Sequence, residues 1–198
     1  MKALLLIDIQ NDFLPGGALA VVDGDQVVPV ANRFMSEFPL VVATQDWHPR
    51  NHRSFASQHP GRQVGEVIDW DGLEQVLWPD HCVQGSSGAK FAPGLNLDGI
   101  DHVIQKGTDV HIDSYSGFFD NGHRKSTGLE QLLHDHGVKE VHLVGLATDY
   151  CIKFTALDAV SLGFKTCVVL EGIRGVELSP GDCAKAIEEM LAAGIEIV

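Results

Sequence analysis

Short apolar runs alternate along the chain with stretches whose apolar residues recur at helical spacing. Near-continuous runs rich in Val, Ile and Leu are typical of parallel strands covered on both faces, and they occur at 3–8, 40–46, 101–107, 139–146, 165–172 and 195–198. Helical spacing occurs at 26–38, 127–137, 149–163 and 179–194. The alternation predicts right-handed βαβ units and therefore an α/β fold, a three-layer αβα sandwich around a doubly wound, mainly parallel sheet.

The segment 47–99 interrupts this alternation. It is rich in His, Pro, Gly and Ser and only weakly periodic, which predicts an irregular insertion. An irregular segment of that length inside a compact domain is usually functional. The chain of 198 residues has the length of one ordinary α/β domain, so we expect residues 1–198 to form a single domain.

The charge of the chain narrows the class of partner. A formal net charge of -13 and a pI near 5.0 oppose binding to nucleic acid or to an anionic membrane surface, because both would repel the chain at long range. A small neutral substrate fits these properties better. The four cysteines form no Cys-x-x-Cys pair, and the first apolar run is too short for a signal peptide, so we expect a cytoplasmic protein with reduced thiols.

Four reactive residues lie at the ends of four predicted strands. Asp8 closes the first run, Asp46 the second and Lys106 the third, and Cys151 follows the fourth by one short turn. Because ligands of an open parallel sheet bind beyond the carboxyl ends of the strands, we expect these side chains to meet at one rim. A single Asp after a strand is more often a turn or helix cap, but the shared position of all four favours a site.

The stretch GLATDYC, 145–151, places Cys151 where a helix is predicted to begin. Backbone N–H groups in the first turn of a helix are unpaired, and their partial positive charge lowers the pKa of a nearby thiol. The same N–H groups can donate hydrogen bonds to an oxyanion. A nearby Lys106 would favour the thiolate further, and Asp8 could take the proton during attack and return it to a leaving group. Cys167 lies inside a predicted strand and Cys183 within a predicted helix, which is typical of packing, whereas Cys82, beside His81 in the irregular segment, is left open as a second reactive thiol.

A second candidate site combines a carboxylate with imidazoles. Asp46 and His48 are two residues apart at a predicted strand end, and His81 follows in the irregular segment. One carboxylate and two imidazoles suit zinc, iron or manganese and leave positions for water or substrate. We expect one divalent metal ion, with zinc as the first choice and iron or manganese as alternatives. His52 is left open as a fourth ligand, a lid residue or a solvated side chain.

Several motifs together resemble a known family. Nearly the whole chain is covered by the stretches LLLIDIQNDFLPGGALAV, TQDWHPRNHRSFA, WPDHCVQG, QKG, DSYSGFFDN, GLATDYCIKFTALDA and EGIRGV. The chain resembles the isochorismatase-like cysteine hydrolases, for which DIQNDF and GLATDYC are typical. DWHP together with WPDHCV resembles the nicotinamidase branch of that superfamily.

The resemblance implies roles for particular residues. It implies a catalytic triad at Asp8, Lys106 and Cys151. It implies metal ligands at Asp46, His48 and His81, with waters filling the remaining positions. In some relatives a further side chain from the following loop joins the metal, and His52 and Ser54 are the two positions where it would lie in this chain.

Substrate contacts and the reaction are implied in the same way. A cis peptide bond before Ala147 would let the backbone N–H groups of Ala147 and Cys151 face an oxyanion together. The aromatic positions around the substrate ring match Phe13, Trp78 and Tyr115. The implied reaction is hydrolysis of nicotinamide to nicotinate and ammonia through a cysteine thioester, in NAD salvage, with a divalent metal holding the ring. Pyrazinamide and related ring amides are further substrates that the family suggests.

Three alternatives stay open on the sequence alone. The first is hydrolysis of another amide, N-carbamoyl or vinyl-ether substrate on the same fold, and the set of Asp46, His48 and His81 argues against it. The second is a metallohydrolase in which the ion activates water and Cys151 is a bystander. The third is a binding module without catalytic activity, against which the intact nucleophile, acid and lysine argue. The sequence also leaves open whether the chain forms a homo-oligomer.

Overall fold

Eight strands and four α-helices make up the computed structural model, which describes residues 1–198. The strands are β1 (Lys2–Ile7), β2 (Val41–Asp46), β3 (Val67–Trp70), β4 (Leu73–Val76), β5 (His102–Lys106), β6 (Glu140–Leu146), β7 (Lys165–Arg174) and β8 (Glu196–Ile197). The α-helices are α1 (Val27–Met35), α2 (Leu129–Asp135), α3 (Lys153–Ser161) and α4 (Asp182–Ala192). None of these helices combines the length and the apolar character that crossing a membrane requires.

Six strands form one parallel sheet in the order β5-β2-β1-β6-β7-β8. The chain runs outward from β1 through β2 to β5, returns to the other side of β1, and runs outward again through β6, β7 and β8. All six strands and all four helices expected from the apolar pattern are confirmed, and so is the doubly wound arrangement. The direction reverses between β1 and β6, where the carboxyl ends of the strands open a crevice for a ligand.

Both faces of the sheet are buried, because its strands carry apolar residues at consecutive positions. In β1, Leu5 and Ile7 pack into the core beneath α2, α3 and α4, whereas Leu4 and Leu6 pack into the core beneath α1. Each fully buried Leu contributes about 1.5–3 kcal/mol to the free energy of unfolding. These two cores hold the strands firmly, so the side chains at the ends of the strands have fixed positions.

The prediction that 47–99 is irregular is wrong for residues 67–76, which form an antiparallel hairpin of β3 and β4. Trp70 pairs with Leu73 at the tip of the hairpin. Asp71 and Gly72 form the two-residue turn, with φ of 52° and 80°. Asp-Gly between two strands is a strong hairpin signal, since both residues tolerate the left-handed conformation. The strands themselves gave a weak apolar pattern because most of their residues are at least partly exposed.

Candidate active site

Four elements bring four reactive side chains to one rim of the sheet. Asp8 follows β1, Asp46 and Lys106 are the last residues of β2 and β5, and Cys151 lies in the turn after β6. Asp46 and Lys106 are direct neighbours in the ladder between β2 and β5. The structure therefore places these residues around the switch point between β1 and β6, as the argument from parallel strands expects.

The ammonium of Lys106 lies at the centre of this cluster. Its Nζ is 2.8 Å from Asp8 Oδ2, 2.5 Å from Asp46 Oδ1 and 3.4 Å from Cys151 Sγ, and it donates to the Ser114 carbonyl at 2.9 Å. Lys106 is 1% exposed, and the other side chains of the cluster are also buried. Desolvating charges is costly, but four surrounding acceptors satisfy all the N–H donors of the ammonium. The thiol and both carboxylates thus share a single cation.

Burial and opposite charges act against each other in this cluster. Burial alone would lower the pKa of Lys106, but Asp46 and Asp8 outweigh it and hold that pKa well above its ordinary value. Burial would raise the pKa of Asp46, but Lys106 holds it well below its usual range. In Asp8 burial prevails and raises the pKa, although Lys106 and Thr44 act in the other direction. Asp8 is therefore the better proton acceptor of the two carboxylates.

Hydrogen bonds to Thr44 fix the carboxylate of Asp8. Thr44 Oγ1 donates to Asp8 Oδ1 at 2.6 Å and accepts the Asp8 backbone N–H at 3.1 Å. Asp8 has a φ of 47°, which is uncommon for a residue other than Gly and persists only where the surroundings impose it. The backbone therefore turns sharply at the end of β1 and directs the side chain into the cluster.

The turn that carries Cys151 differs from the predicted helix start. The predicted helical stretch 149–163 is preceded and opened by one wide π-type turn, Thr148–Ile152. The helix α3 itself starts only at Lys153. Such turns often occur at functional sites. The cis peptide bond expected before Ala147 is confirmed, between Leu146 and Ala147.

The surroundings of Cys151 favour the thiol over the thiolate. We expected a lowered pKa at a helix start, and this expectation is wrong: burial raises the pKa of Cys151 well above its ordinary value, and Lys106 opposes the effect without reversing it. The negative charge of the nearby Asp8 carboxylate adds to the increase in the pKa of Cys151. Attack therefore calls for a base, and a carboxylate oxygen of Asp8 lies within 4.8 Å of Cys151 Sγ.

The side chains of Asp46, His48 and His81 form a compact donor set, with one donor atom of each within 4.8 Å of the others. The Nδ1–H of His48 donates to the Gly107 carbonyl at 2.9 Å, and that of His81 donates to the Pro79 carbonyl at 2.8 Å. A carbonyl only accepts, so in each neutral ring the Nε2 lone pair is free. The buried Nε2 of His48 has no hydrogen-bond partner. These observations fit a divalent metal site.

His52 and Ser54 are placed beside this donor set but contact each other. Ser54 Oγ is 2.7 Å from His52 Nδ1, and the other ring nitrogen of His52 is 3.4 Å from the Ile112 carbonyl. His52 instead forms a second compact group with His48 and Asp113. Asp113 was given no role by the sequence, although it is buried and lines the cavity.

An aromatic cavity adjoins the cluster. Phe13, Trp78 and Tyr115 line it as expected, together with Tyr150, which sequence reasoning missed. Asp46, His81, Ala147 and Cys151 contribute to the same wall. The cavity measures about 30 Å³, enough for roughly one or two waters. The Cys151 thiol, the Asp46 carboxylate and the aromatic rings thus line one cavity.

Comparison with known proteins places the chain in a family. The Isochorismatase domain family matches residues 2–198. The chain belongs to the isochorismatase family. Nicotinamidase of Escherichia coli strain K12 is 53% identical over 197 residues, which is 98% of this chain and 92% of that protein.

Solved structures of isochorismatase-family proteins agree closely with this one. A nicotinamidase/pyrazinamidase of Acinetobacter baumanii superposes with a TM-score of 0.97 at 46% identity, covering 100% of this chain and 95% of that one. Pyrazinamidase of Pyrococcus horikoshii in complex with zinc superposes with a TM-score of 0.81 at 38% identity, covering 100% and 98%.

Gln10 clamps Asp46 in this isochorismatase-family site, and sequence reasoning gave it no role. Gln10 Oε1 accepts the Asp46 backbone N–H at 2.8 Å, and Nε2 donates to the carbonyls of Asp46 and Ala89, both at 2.9 Å. The side-chain amide thus pairs with the backbone as a neighbouring strand would. The available signal was the position of Gln10 in DIQNDF, two residues after Asp8.

Two further aspartates hold loops of the isochorismatase-family site in place. Asp12 Oδ2 accepts the backbone N–H of Cys82 at 2.7 Å and so fixes the segment that carries His81. Asp149 Oδ1 accepts the backbone N–H of Val176, a residue of the cavity wall, at 2.9 Å. Both lie in the motifs DIQNDF and GLATDYC, but their partners are distant in sequence and gave no local signal.

Proposed function

We propose that the chain hydrolyses nicotinamide to nicotinate and ammonia through a thioester on Cys151. The observation that carries this proposal is the contact of Lys106 with both Asp8 and Cys151 beside an aromatic cavity. The named activity of the Escherichia coli and Acinetobacter relatives supports it. A neutral, flat amide also agrees with the strongly acidic composition of the chain.

Proton transfer through Asp8 drives both halves of the reaction. Asp8 takes the thiol proton as Cys151 Sγ attacks the carboxamide carbon, and it then protonates the departing ammonia. A thioester remains, and Asp8 removes a proton from the attacking water. As the C–S bond breaks, Asp8 returns this proton to the Cys151 sulfur, and the released nicotinic acid loses its own proton to solvent. Lys106 keeps its own proton throughout, because its raised pKa prevents loss, and its positive charge stabilises the sulfur anion during attack.

The backbone N–H groups of Ala147 and Cys151 are the proposed oxyanion donors. The family resemblance implied both these donors and a cis peptide bond before Ala147. That bond is present between Leu146 and Ala147, which supports the assignment. One such donor is typically worth about 3 kcal/mol, which corresponds to roughly a hundredfold in rate.

Phe13, Trp78 and Tyr115 are proposed to hold the ring, with zinc bound at Asp46, His48 and His81 and iron or manganese as alternatives. The zinc complex of the Pyrococcus relative supports this choice. When bound, the ion would act as a Lewis acid toward the ring nitrogen, directly or through water. Within the chain, the carbonyls of Gly107 and Pro79 orient the two imidazoles for that role. A Cβ at position 107 would lie 2.3 Å from His48 Cε1, so glycine is required there.

Ammonia release from nicotinamide, before and after chelation, tests the proposal. Benzamide is the matched control substrate, because it carries the carboxamide but lacks the ring nitrogen. We expect release from nicotinamide, much slower release from benzamide, and a loss with chelation that zinc restores. A chain that releases no ammonia from nicotinamide with zinc present would contradict the proposal. Pyrazinamide, which keeps the ring nitrogen, should also be hydrolysed.

Alkylation separates the thioester route from a route in which a metal-activated water attacks. We expect iodoacetamide to abolish turnover in step with modification of Cys151, followed by peptide mass spectrometry. Activity that survives complete modification of Cys151 would favour the metallohydrolase alternative.

A place in NAD salvage follows from nicotinamide as the proposed substrate. The four thiols, none of them in a disulfide, support a proposed cytoplasmic location.

A further inference from the structure

A second cluster of metal-ligating side chains lies far from the active-site rim, toward the amino-terminal ends of the strands. The ladders pair His142 of β6 with Cys167 of β7, and Cys167 with Glu196 of β8. Residues paired across parallel strands point to the same face, so the three side chains stand in a row. Glu140, two residues before His142, adds a carboxylate on that face.

The ligand atoms of this cluster are already close together. His142 Nε2 donates to Glu140 Oε1 at 2.7 Å, and Cys167 Sγ donates to Glu196 Oε2 at 3.5 Å. One ligand atom each from Glu140, His142 and Cys167 lies within 4.8 Å of the others. The backbone of all three is fixed in the central sheet, so a small shift of side chains is enough to reach a common point.

We propose that Glu140, His142, Cys167 and Glu196 bind a zinc ion, separate from the one proposed at the active site. Thiolate, imidazole and carboxylate are the three ligand types that zinc accepts, and four of them complete a tetrahedral site. When zinc binds Nε2 of His142, the proton of that nitrogen moves to Nδ1. When zinc binds Sγ of Cys167, the thiol proton is released to solvent. Glu196 is half-exposed and Cys167 is buried, so the ion enters from the side of Glu196.

Two lysines form ion pairs with the carboxylates of Glu140 and Glu196, and they compete only weakly with a metal ion. Lys2 Nζ lies 2.8 Å from Glu140 Oε1 and Lys165 Nζ lies 3.3 Å from Glu196 Oε2. The lysine side chains are 58% and 52% exposed, so water screens both ion pairs and the freed ammonium groups regain water. The bound ion would join β8, a strand of only two residues paired to β7 alone, to β6.

Cobalt(II) absorption of the full-length Cys151→Ala chain tests the site. A bond between cobalt and a thiolate gives a charge-transfer band that nitrogen and oxygen ligands do not give, and the substitution removes the thiol of the catalytic cluster. We expect the band in Cys151→Ala, its loss when Cys167→Ser is added, and its retention when Cys183→Ser is added instead. A band that never forms, survives Cys167→Ser or disappears with Cys183→Ser overturns the proposal.

Zinc affinity of a second variant guards against a failure of Cys167→Ser to fold. Glu196→Gln changes a half-exposed side chain, so the fold should be retained and is checked by circular dichroism. We expect this variant to bind the second zinc equivalent about tenfold more weakly or worse, with unchanged hydrolysis of nicotinamide. Equal affinity in Glu196→Gln and the unaltered chain would remove Glu196 from the site and overturn the proposed ligand set. Because activity stays unchanged, the result is independent of the proposed catalytic function.

Discussion

The two ends of the central strands carry clusters of the same chemical groups in different surroundings. At the carboxyl ends, Asp8, Asp46, Lys106 and Cys151 are almost completely buried. At the other end, Lys165 and Glu196 are about half-exposed. Burial is the largest single influence on the pKa of each group in the first cluster. In the second, hydrogen bonds from Lys2 and His142 lower the pKa of Glu140 to about 2.

The difference shows that residue type alone does not create reactivity. A thiol, a carboxylate and an ammonium become a nucleophile, a base and a fixed cation only where water is excluded and each charge depends on its neighbours. At a half-exposed position, water replaces a lost neighbour at little cost. Matched substitutions in the two clusters measure this difference directly.

The largest effect is expected for the nucleophile. Cys151→Ser replaces the sulfur with a much poorer nucleophile, so kcat for nicotinamide should fall by roughly 10⁴-fold or more. Cys167→Ser at the other end of the sheet should leave kcat within about twofold, since that thiol contacts no residue of the rim. Steady-state ammonia release measures both, and an active Cys151→Ser chain would refute the covalent route.

The next effect concerns stability. Lys106→Met keeps the length of the side chain but leaves the carboxylates of Asp8 and Asp46 buried without their cation. The free energy of unfolding should fall by about 3–5 kcal/mol, measured by urea denaturation near neutral pH. Lys165→Met should change the free energy of unfolding far less, because that ammonium is half-exposed and screened by water. Similar losses in both variants would show that burial does not separate the two clusters.

A smaller effect is expected at the clamp on Asp46. Gln10→Ala removes two hydrogen bonds to the backbone of Asp46 and one to Ala89, so zinc affinity at the active site should fall about 10–100-fold, measured by competition with a chelating dye. Gln84→Ala is the matched control, because that amide donates to the Trp47 carbonyl at 3.0 Å from an exposed position. Equal weakening in both variants would deny Gln10 a positioning role.

The smallest effect is a displacement of the pH profile. Protonated Asp8 cannot take the thiol proton, so kcat/KM should fall as the pH decreases through the pKa of Asp8, above the ordinary range of an aspartate. Thr44→Val removes a hydrogen bond that lowers this pKa, so the acid limb should move to higher pH. Thr166→Val, which loses only a bond to the Phe164 carbonyl, should leave the limb in place. An unchanged limb in Thr44→Val would contradict Asp8 as the base.

The apolar pattern predicted the sheet and its rim because parallel strands buried on both faces leave a continuous signal. Asp8, Asp46 and Lys106 could be brought together from that pattern alone, since each ends a strand. Contacts such as Gln10 with Asp46, 36 residues apart, leave no periodic trace. The predicted direction of the Cys151 pKa shift was wrong because the sequence does not show how deeply the thiol is buried.

The hairpin of β3 and β4 was missed for a different reason. Its strands lie largely at the surface, so only the Asp71-Gly72 turn carried information, and apolar periodicity does not register a turn.

The buried carboxylates of Asp8, Asp46 and Asp113 outnumber the single ammonium of Lys106, three to one. When all are ionised, the interior behind the aromatic wall carries two uncompensated negative charges, which a divalent cation would neutralise. Folding and metal supply are then thermodynamically linked, because an ion that binds only the native chain raises its stability by mass action. Cells short of that metal would accumulate less of the protein, and not merely a less active form of it.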